Sequence, residues 1–267
     1  MGIKTVSDLA LTADAIAYNR VPKVTWDFWV VKLLAVTVGE TGADFLAQNM
    51  GLGLAQTTIL MSAILSVILI FQFAQKKYIP LAYWLAVIFL SIVGTLITDY
   101  MVDDLGVTLV MSTFVFSAAL MATFATWYAM EKTLSIHTIF TNRREAFYWL
   151  AILFTFALGT AAGDLLAEGL GLGYLPSALV YAVIISIIGV CYWLQKLNGI
   201  LAFWLAYILT RPMGASFGDL FSQPKGAGGM GFGTTITSVI FFVAIAATLI
   251  YMTKNHNDEK LIKAGNR

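Results

Sequence analysis

Apolar residues run along this chain in blocks of about twenty, broken by short glycine-rich or charged segments. "GLAQTTILMSAILSVILIFQFA", "YLPSALVYAVIISIIGVCYWL" and "GTTITSVIFFVAIAATLIY" are such blocks. Each is long enough, as a helix, to cross a bilayer core of about 30 Å. The breaks predict eight helices, over 26–47, 54–75, 81–101, 107–130, 146–168, 174–195, 199–221 and 232–253. Polar residues interrupt every second helix in the same way, and "TRPMGASFGDLFSQ" (210–223), with Arg211 and Asp219, is one instance.

The interruptions belong to a fourfold internal repeat. Trp29, Trp84, Trp149 and Trp204 each follow Phe or Tyr. Ten residues after each comes a glycine (Gly39, Gly94, Gly159, Gly214), and five further an aspartate (Asp44, Asp99, Asp164, Asp219). Four beyond stand Gln48, Asp103, Glu168 and Gln223, and then a turn glycine: Gly51, Gly106, Gly171 and, displaced by a short insertion, Gly231. The aspartates are 55, 65 and 55 residues apart, so the chain is also two halves with a period of 120. Two helices per repeat leave all four repeats pointing the same way, parallel about an axis along the membrane normal. The expected fold is an all-α membrane protein of eight transmembrane helices with pseudo-fourfold arrangement.

Composition strengthens this reading. Of 267 residues 59% are hydrophobic and 12% charged, against about 25% charged in soluble domains; mean hydropathy is +0.82. The net charge of +1 gives no reason to expect a nucleic-acid partner. Cys191, the single cysteine, excludes an intrachain disulfide. Residues 1–25 lack the pattern of a signal peptide and read as a cytoplasmic arm. A transmembrane domain follows over 26–253, with repeats at about 26–78, 81–132, 146–196 and 199–253, and then a cytoplasmic tail, 254–267. Lys76, Lys77, Lys132, Arg143, Arg144 and Lys196 fall at the end that holds both termini, and only Lys225 at the other, so both termini are expected inside. The repeated tryptophans then fall at the inner interface, where indole rings gather, and the connection "EKTLSIHTIFTNRREA" (131–146) serves as a linker.

Residues four apart share a helix face. One face reads Glu40, Asp44, Gln48; the others read Thr95, Asp99, Asp103, then Thr160, Asp164, Glu168, then Arg211, Ala215, Asp219, Gln223. Seven of the fifteen acids lie on these stripes. Fourfold packing would bring them together, because charge inside a bilayer nearly always faces a bundle interior or a water-filled cavity. The carboxylates cannot all be ionised without shared protons, a basic partner or a bound cation. Arg211 could neutralise one, whereas Lys32 can reach the inner interface along its stem. Pro212 should kink the seventh helix. The structural alternative is that the aspartates cap turns or bind helices together; an aspartate is poorly placed at a helix C-terminus but caps a new helix well.

His137 and His256 lie outside the predicted helices, so the donors available are oxygens, suited to protons, Na⁺, Mg²⁺, Ca²⁺ or Mn²⁺. The metal-site candidates are Asp44, Asp99, Asp164, Asp219, Glu40, Asp103 and Glu168, with Arg211, Gln48 and Gln223 in support. Nothing points to a catalytic constellation or to a cofactor beyond a bound cation.

On the FW/YW-x9-G-x4-D units the chain, over residues 28–253, resembles a bacterial membrane-protein family of four tandem two-helix repeats of unknown function, each marked by a tryptophan. "ETGAD" (40–44) is also similar, as chemistry only, to the acidic motifs of manganese and calcium cation/proton exchangers. The expected protein is a multi-pass protein of a bacterial inner membrane, with lipid and a small cation as partners. It transports a hard cation at a central acidic site, with proton exchange as one form of coupling. The alternative is a non-transporting scaffold or stress-linked assembly factor.

Overall fold

The computed structural model describes the chain from residue 19 to 265, with side chains to residue 251. Most of the expected arm (1–25) and the side chains of the expected tail (254–267) lie outside the described residues. Eight long helices form: α1 (Trp26–Asp44), α2 (Leu54–Phe73), α3 (Pro80–Asp99), α4 (Leu109–Glu131), α5 (Asn142–Asp164), α6 (Tyr174–Trp193), α7 (Gly199–Ser222) and α8 (Gly233–Gly265). No strand occurs among the described residues. Two ends differ from expectation by four residues or more, when the π-type turns that follow Asp44, Asp99 and Asp164 are counted with their helices. α5 starts four residues early because Thr141 caps it, its hydroxyl accepting from the Arg144 N–H at 3.3 Å. α8 runs on to Gly265, past the expected end at 253.

Seven helices, α2 to α8, are long and apolar enough to cross a membrane. α1 falls short because Asp27, Lys32, Glu40 and Asp44 crowd its 19 residues. Its neighbours shelter three of these groups, Lys32, Glu40 and Asp44.

The first helices of the repeats make a closed inner ring: α1 packs on α3, α3 on α5, α5 on α7, and α7 back on α1. Each second helix lies outside it, against the inner helix of the next repeat: α2 on α3, α4 on α5, α6 on α7, and α8 on α1. The inner helices α3, α5 and α7 are largely buried, whereas the outer ones expose most of their apolar surface.

The glycine ten residues after each tryptophan sets the spacing of the ring. Gly39 lies against Ser91, Gly94 against Phe156, Gly159 against Arg211 and Gly214 against Val36. Those four contacts are themselves one repeat position, so every inner helix presses the same residue onto its neighbour's glycine. A β-carbon at Gly94 would sit 2.8 Å from Phe156 Cβ and 3.1 Å from the Ala157 backbone nitrogen. The turn glycines have a separate cause: Gly51, Gly106 and Gly171 take φ of 69°, 67° and 69°, the left-handed region.

Two expectations are corrected. The repeated tryptophans are not interface anchors: Trp84, Trp149 and Trp204 are buried between helices, and only Trp29 is half-buried. Their indole N–H groups find partners inside, Tyr78 Oη at 3.2 Å, Glu145 Oε1 at 3.2 Å and the Leu134 carbonyl at 3.0 Å. The α4–α5 connection is more than a linker. Ile136 and Ile139 enter the core. Asn19 donates to the Ile136 carbonyl at 3.1 Å and accepts from the Ile139 N–H at 3.0 Å, and Arg20 pairs with Glu145.

Candidate functional site

The i, i+4 face of the inner helices forms tiers down the ring axis. At the tryptophan end stand Phe28, Tyr83, Tyr148 and Phe203, all buried, with the Tyr83 and Tyr148 hydroxyls 2.5 Å apart. Next come Lys32, Val87, Ile152 and Tyr207, then Val36, Ser91, Phe156 and Arg211, then Glu40, Thr95, Thr160 and Ala215. All twelve are buried. The last tier is Asp44, Asp99, Asp164 and Asp219, toward the turns that carry Gly51, Gly106 and Gly171.

The structure brings the acids together. Carboxylate oxygens of Glu40, Asp164 and Asp219, from α1, α5 and α7, lie within 4.8 Å of one another. Oxygens no farther apart than this can share one ion bound at about 2.4 Å. Asp44 and Asp99 are within electrostatic range of Glu40, and Asp99 also of Asp219. Asp44 is 9% exposed and Asp219 6%; Asp99 and Asp164 are half-buried. Among the described residues, none of the four aspartate side chains makes a hydrogen bond or an ion pair. Asp44, Asp99 and Asp164 have helical backbone angles and no capping bond, so the capping alternative does not hold for them.

The backbone just beyond these three aspartates departs from the regular helix that the sequence predicts. The α-helix gives way to one wider π-type turn: Phe45–Asn49, Tyr100–Asp104 and Leu165–Gly169. Such turns recur at functional sites. Gln48, Asp103 and Glu168, four positions on and within these turns, are exposed; Asp103 stays within electrostatic range of Asp44 and Asp99, and Glu168 of Asp44, Asp164 and Asp219. Glu168 accepts from the Tyr174 hydroxyl at 2.8 Å. α7 continues as a regular helix through Pro212 to Ser222, and Gln223 stays half-buried.

Beneath the cluster lies Arg211, fully buried. Its guanidinium pairs with Glu40 at 2.8 Å and donates to the hydroxyls of Thr95 and, at 2.8 Å, Thr160. Its carboxylate is therefore on the neighbouring helix α1, not Asp219 on its own helix. Thr95 donates to Glu40 Oε2 at 3.1 Å. Lys32 does not reach an interface. It is completely buried one tier lower, donating to the Tyr207 carbonyl at 2.8 Å and to the Thr210 hydroxyl. Its Nζ lies 4.4 Å from the Tyr207 ring centroid. Lys32 stands eight residues before Glu40, so extending the stripe by two turns would have placed it on the axis.

These features define an all-helical, multi-pass architecture compatible with a membrane, built from four tandem repeats around an acid-lined axis. Residues 28–78, 82–133, 147–198 and 202–257 each match the family described as Repeat of Unknown Function (DUF347), and the chain belongs to that family. No curated protein and no solved structure matches it.

Proposed function

We propose that the protein is an integral membrane protein whose central acidic site binds a hard cation for transport, with Mn²⁺, Mg²⁺ and Ca²⁺ as the class of ion and protons as its competitors. The observation that carries this is the convergence of Glu40, Asp164 and Asp219 within 4.8 Å, with the Asp164 and Asp219 side chains bonded to no described residue. Five carboxylates on the axis face two basic groups, Lys32 and Arg211, which leaves three negative charges for protons or a cation to balance. The outward display of Ile59, Val67, Phe114, Met121, Val183, Ile187, Val239 and Phe242 fits helices solvated by lipid. The excess of lysine and arginine at the opposite end supports placing that end, with both termini, inside.

The test is cation-dependent thermal stabilisation of the purified protein, with flux into proteoliposomes. An ion at a hundred times its Kd stabilises the folded state by about 2.7 kcal/mol. Asp164→Asn and Asp219→Asn keep side-chain size and remove charge, so they should leave the protein folded and abolish both signals. Asp103→Asn, at the exposed mouth, should change them little. No stabilisation or flux in the wild type with any of the three ions, or Asn variants that match it, would leave the aspartates as helix-binding groups in a scaffold.

A further inference from the structure

The axis changes sign below the acid cluster. We propose that Arg211 is a fixed electrostatic stop: a cation entering from the turn end is halted at Glu40, Asp164 and Asp219, and the cluster is a one-sided vestibule in this conformation. The proposal rests on the cation-site reading above.

Three observations support it. Arg211 has no exposed surface, and its guanidinium reaches groups on all three other inner helices: Glu40 on α1, Thr95 on α3 and Thr160 on α5. Arginine does not lose its proton in proteins, so this charge is permanent. Its stem passes directly against Gly159, the Phe156 ring lies 5.8 Å from the guanidinium, and Val36, Ser91 and Phe156 of the same tier are as fully buried as Arg211 itself. One tier lower Lys32 adds a second basic group, with no carboxylate partner among the described residues. A fixed cation across a narrow pore is an effective barrier to other cations. The repeat makes the placement specific: the equivalent positions hold Val36, Ser91 and Phe156, none of them charged.

A staple that only ties four helices together would act through its hydrogen bonds, and a stop acts through its charge. Cysteine reporters in a Cys191→Ser background separate the two, with Ag⁺ as the probe. Asp99→Cys, at a half-buried position, reports on the acid cluster and Ser91→Cys on the Arg211 tier. In the otherwise unaltered protein Asp99→Cys should react quickly and Ser91→Cys slowly. Arg211→Gln should speed the Ser91→Cys reaction at least tenfold, and Arg211→Lys, which keeps the charge, should not. Size-exclusion profile and Asp99→Cys reactivity report whether each variant is folded; Glu40→Gln/Arg211→Gln, which removes both charges together, replaces Arg211→Gln if that variant is not. Rapid Ser91→Cys reaction beside an intact Arg211, equal acceleration in the Lys and Gln variants, or no acceleration in either would overturn the stop. Failure of the cation-site reading shows separately, as absent stabilisation by Mn²⁺, Mg²⁺ and Ca²⁺ in the wild type.

Discussion

Replacing Gly94 with alanine tests whether the repeat glycines set the ring's diameter. The new β-carbon would stand 2.8 Å from Phe156 Cβ, 3.1 Å from the Ala157 nitrogen and 3.2 Å from the Phe156 carbonyl carbon. Two of these atoms are backbone, so no rotamer change relieves the contact. α3 and α5 must separate by roughly half an ångström or more to restore ordinary packing distances. Overpacking of this kind costs about 1–3 kcal/mol, and a backbone obstacle puts it near the upper figure. Alanine also has a higher helix propensity than glycine, which returns about 1 kcal/mol. The expected net loss is therefore about 2 kcal/mol.

The control is Gly189→Ala on α6, where a β-carbon would meet nothing within 4 Å. That change should be neutral or stabilising by up to about 1 kcal/mol. Reversible unfolding in mixed detergent and SDS, followed by circular dichroism, reads both. The two variants should move in opposite directions, or at least differ by about 2 kcal/mol. If Gly94→Ala is as stable as Gly189→Ala, the inner helices are not held at glycine contact and the explanation of the repeat fails.

Three further outcomes are expected. Gly106→Ala places a side chain at φ 67° in open space, so its cost is backbone strain alone, about 1–2 kcal/mol, and Gly106→Asn should recover part of it in the same unfolding assay. Glu145→Gln breaks a pair whose side chains are 1% and 11% exposed, for Glu145 and Arg20, and weakens the acceptor for Gln72 and Trp149. The loss should be about 3 kcal/mol, the lower end for a buried pair because Arg20 keeps some access to water. Trp149→Phe, which keeps most of the ring but deletes the N–H donor to Glu145, should cost less, about 1–2 kcal/mol in the same assay.

The helix number, the repeat and the acidic stripe were legible because each rests on a local period. Twenty apolar residues between breaks give a helix, and a fixed spacing from tryptophan to aspartate gives one depth in every copy. Features that depend on a partner helix were not legible. Nothing local to Gly94 says that Phe156 will press on it. Trp84 at a helix start looks like an interface residue until Phe28 of α1 and Tyr78 close on it. Lys32 was misplaced for the same reason: its distance from Trp29 suggests reach to water, yet the ring closes over that end of α1. Arg211 lies on the stripe of Asp219, and only the closure of α7 against α1 hands it to Glu40 instead. The wider turns at 45–49, 100–104 and 165–169 share no breaker residue, so a regular helical count does not foresee them or the exposure of Asp103 and Glu168 within them.

A ring of equal repeats would by itself give four equal aspartates toward the turn end of the axis and no basic group below them. The change of sign along the axis comes from the positions where the copies differ. The tier that holds Glu40 holds threonine in the second and third repeats and Ala215 in the fourth. The tier below holds Arg211 in the fourth repeat alone, and the next holds Lys32 in the first alone. Because α7 packs directly on α1, these exceptions meet across the one contact that joins the last repeat to the first. The small Ala215 has no polar group of its own to offer at that tier, and Arg211 extends from one turn below to supply Glu40's counter-charge. The repeats thus supply the number and depth of the carboxylates, and the junction between first and last repeat supplies the charge pattern that makes one end of the axis acidic and the other basic.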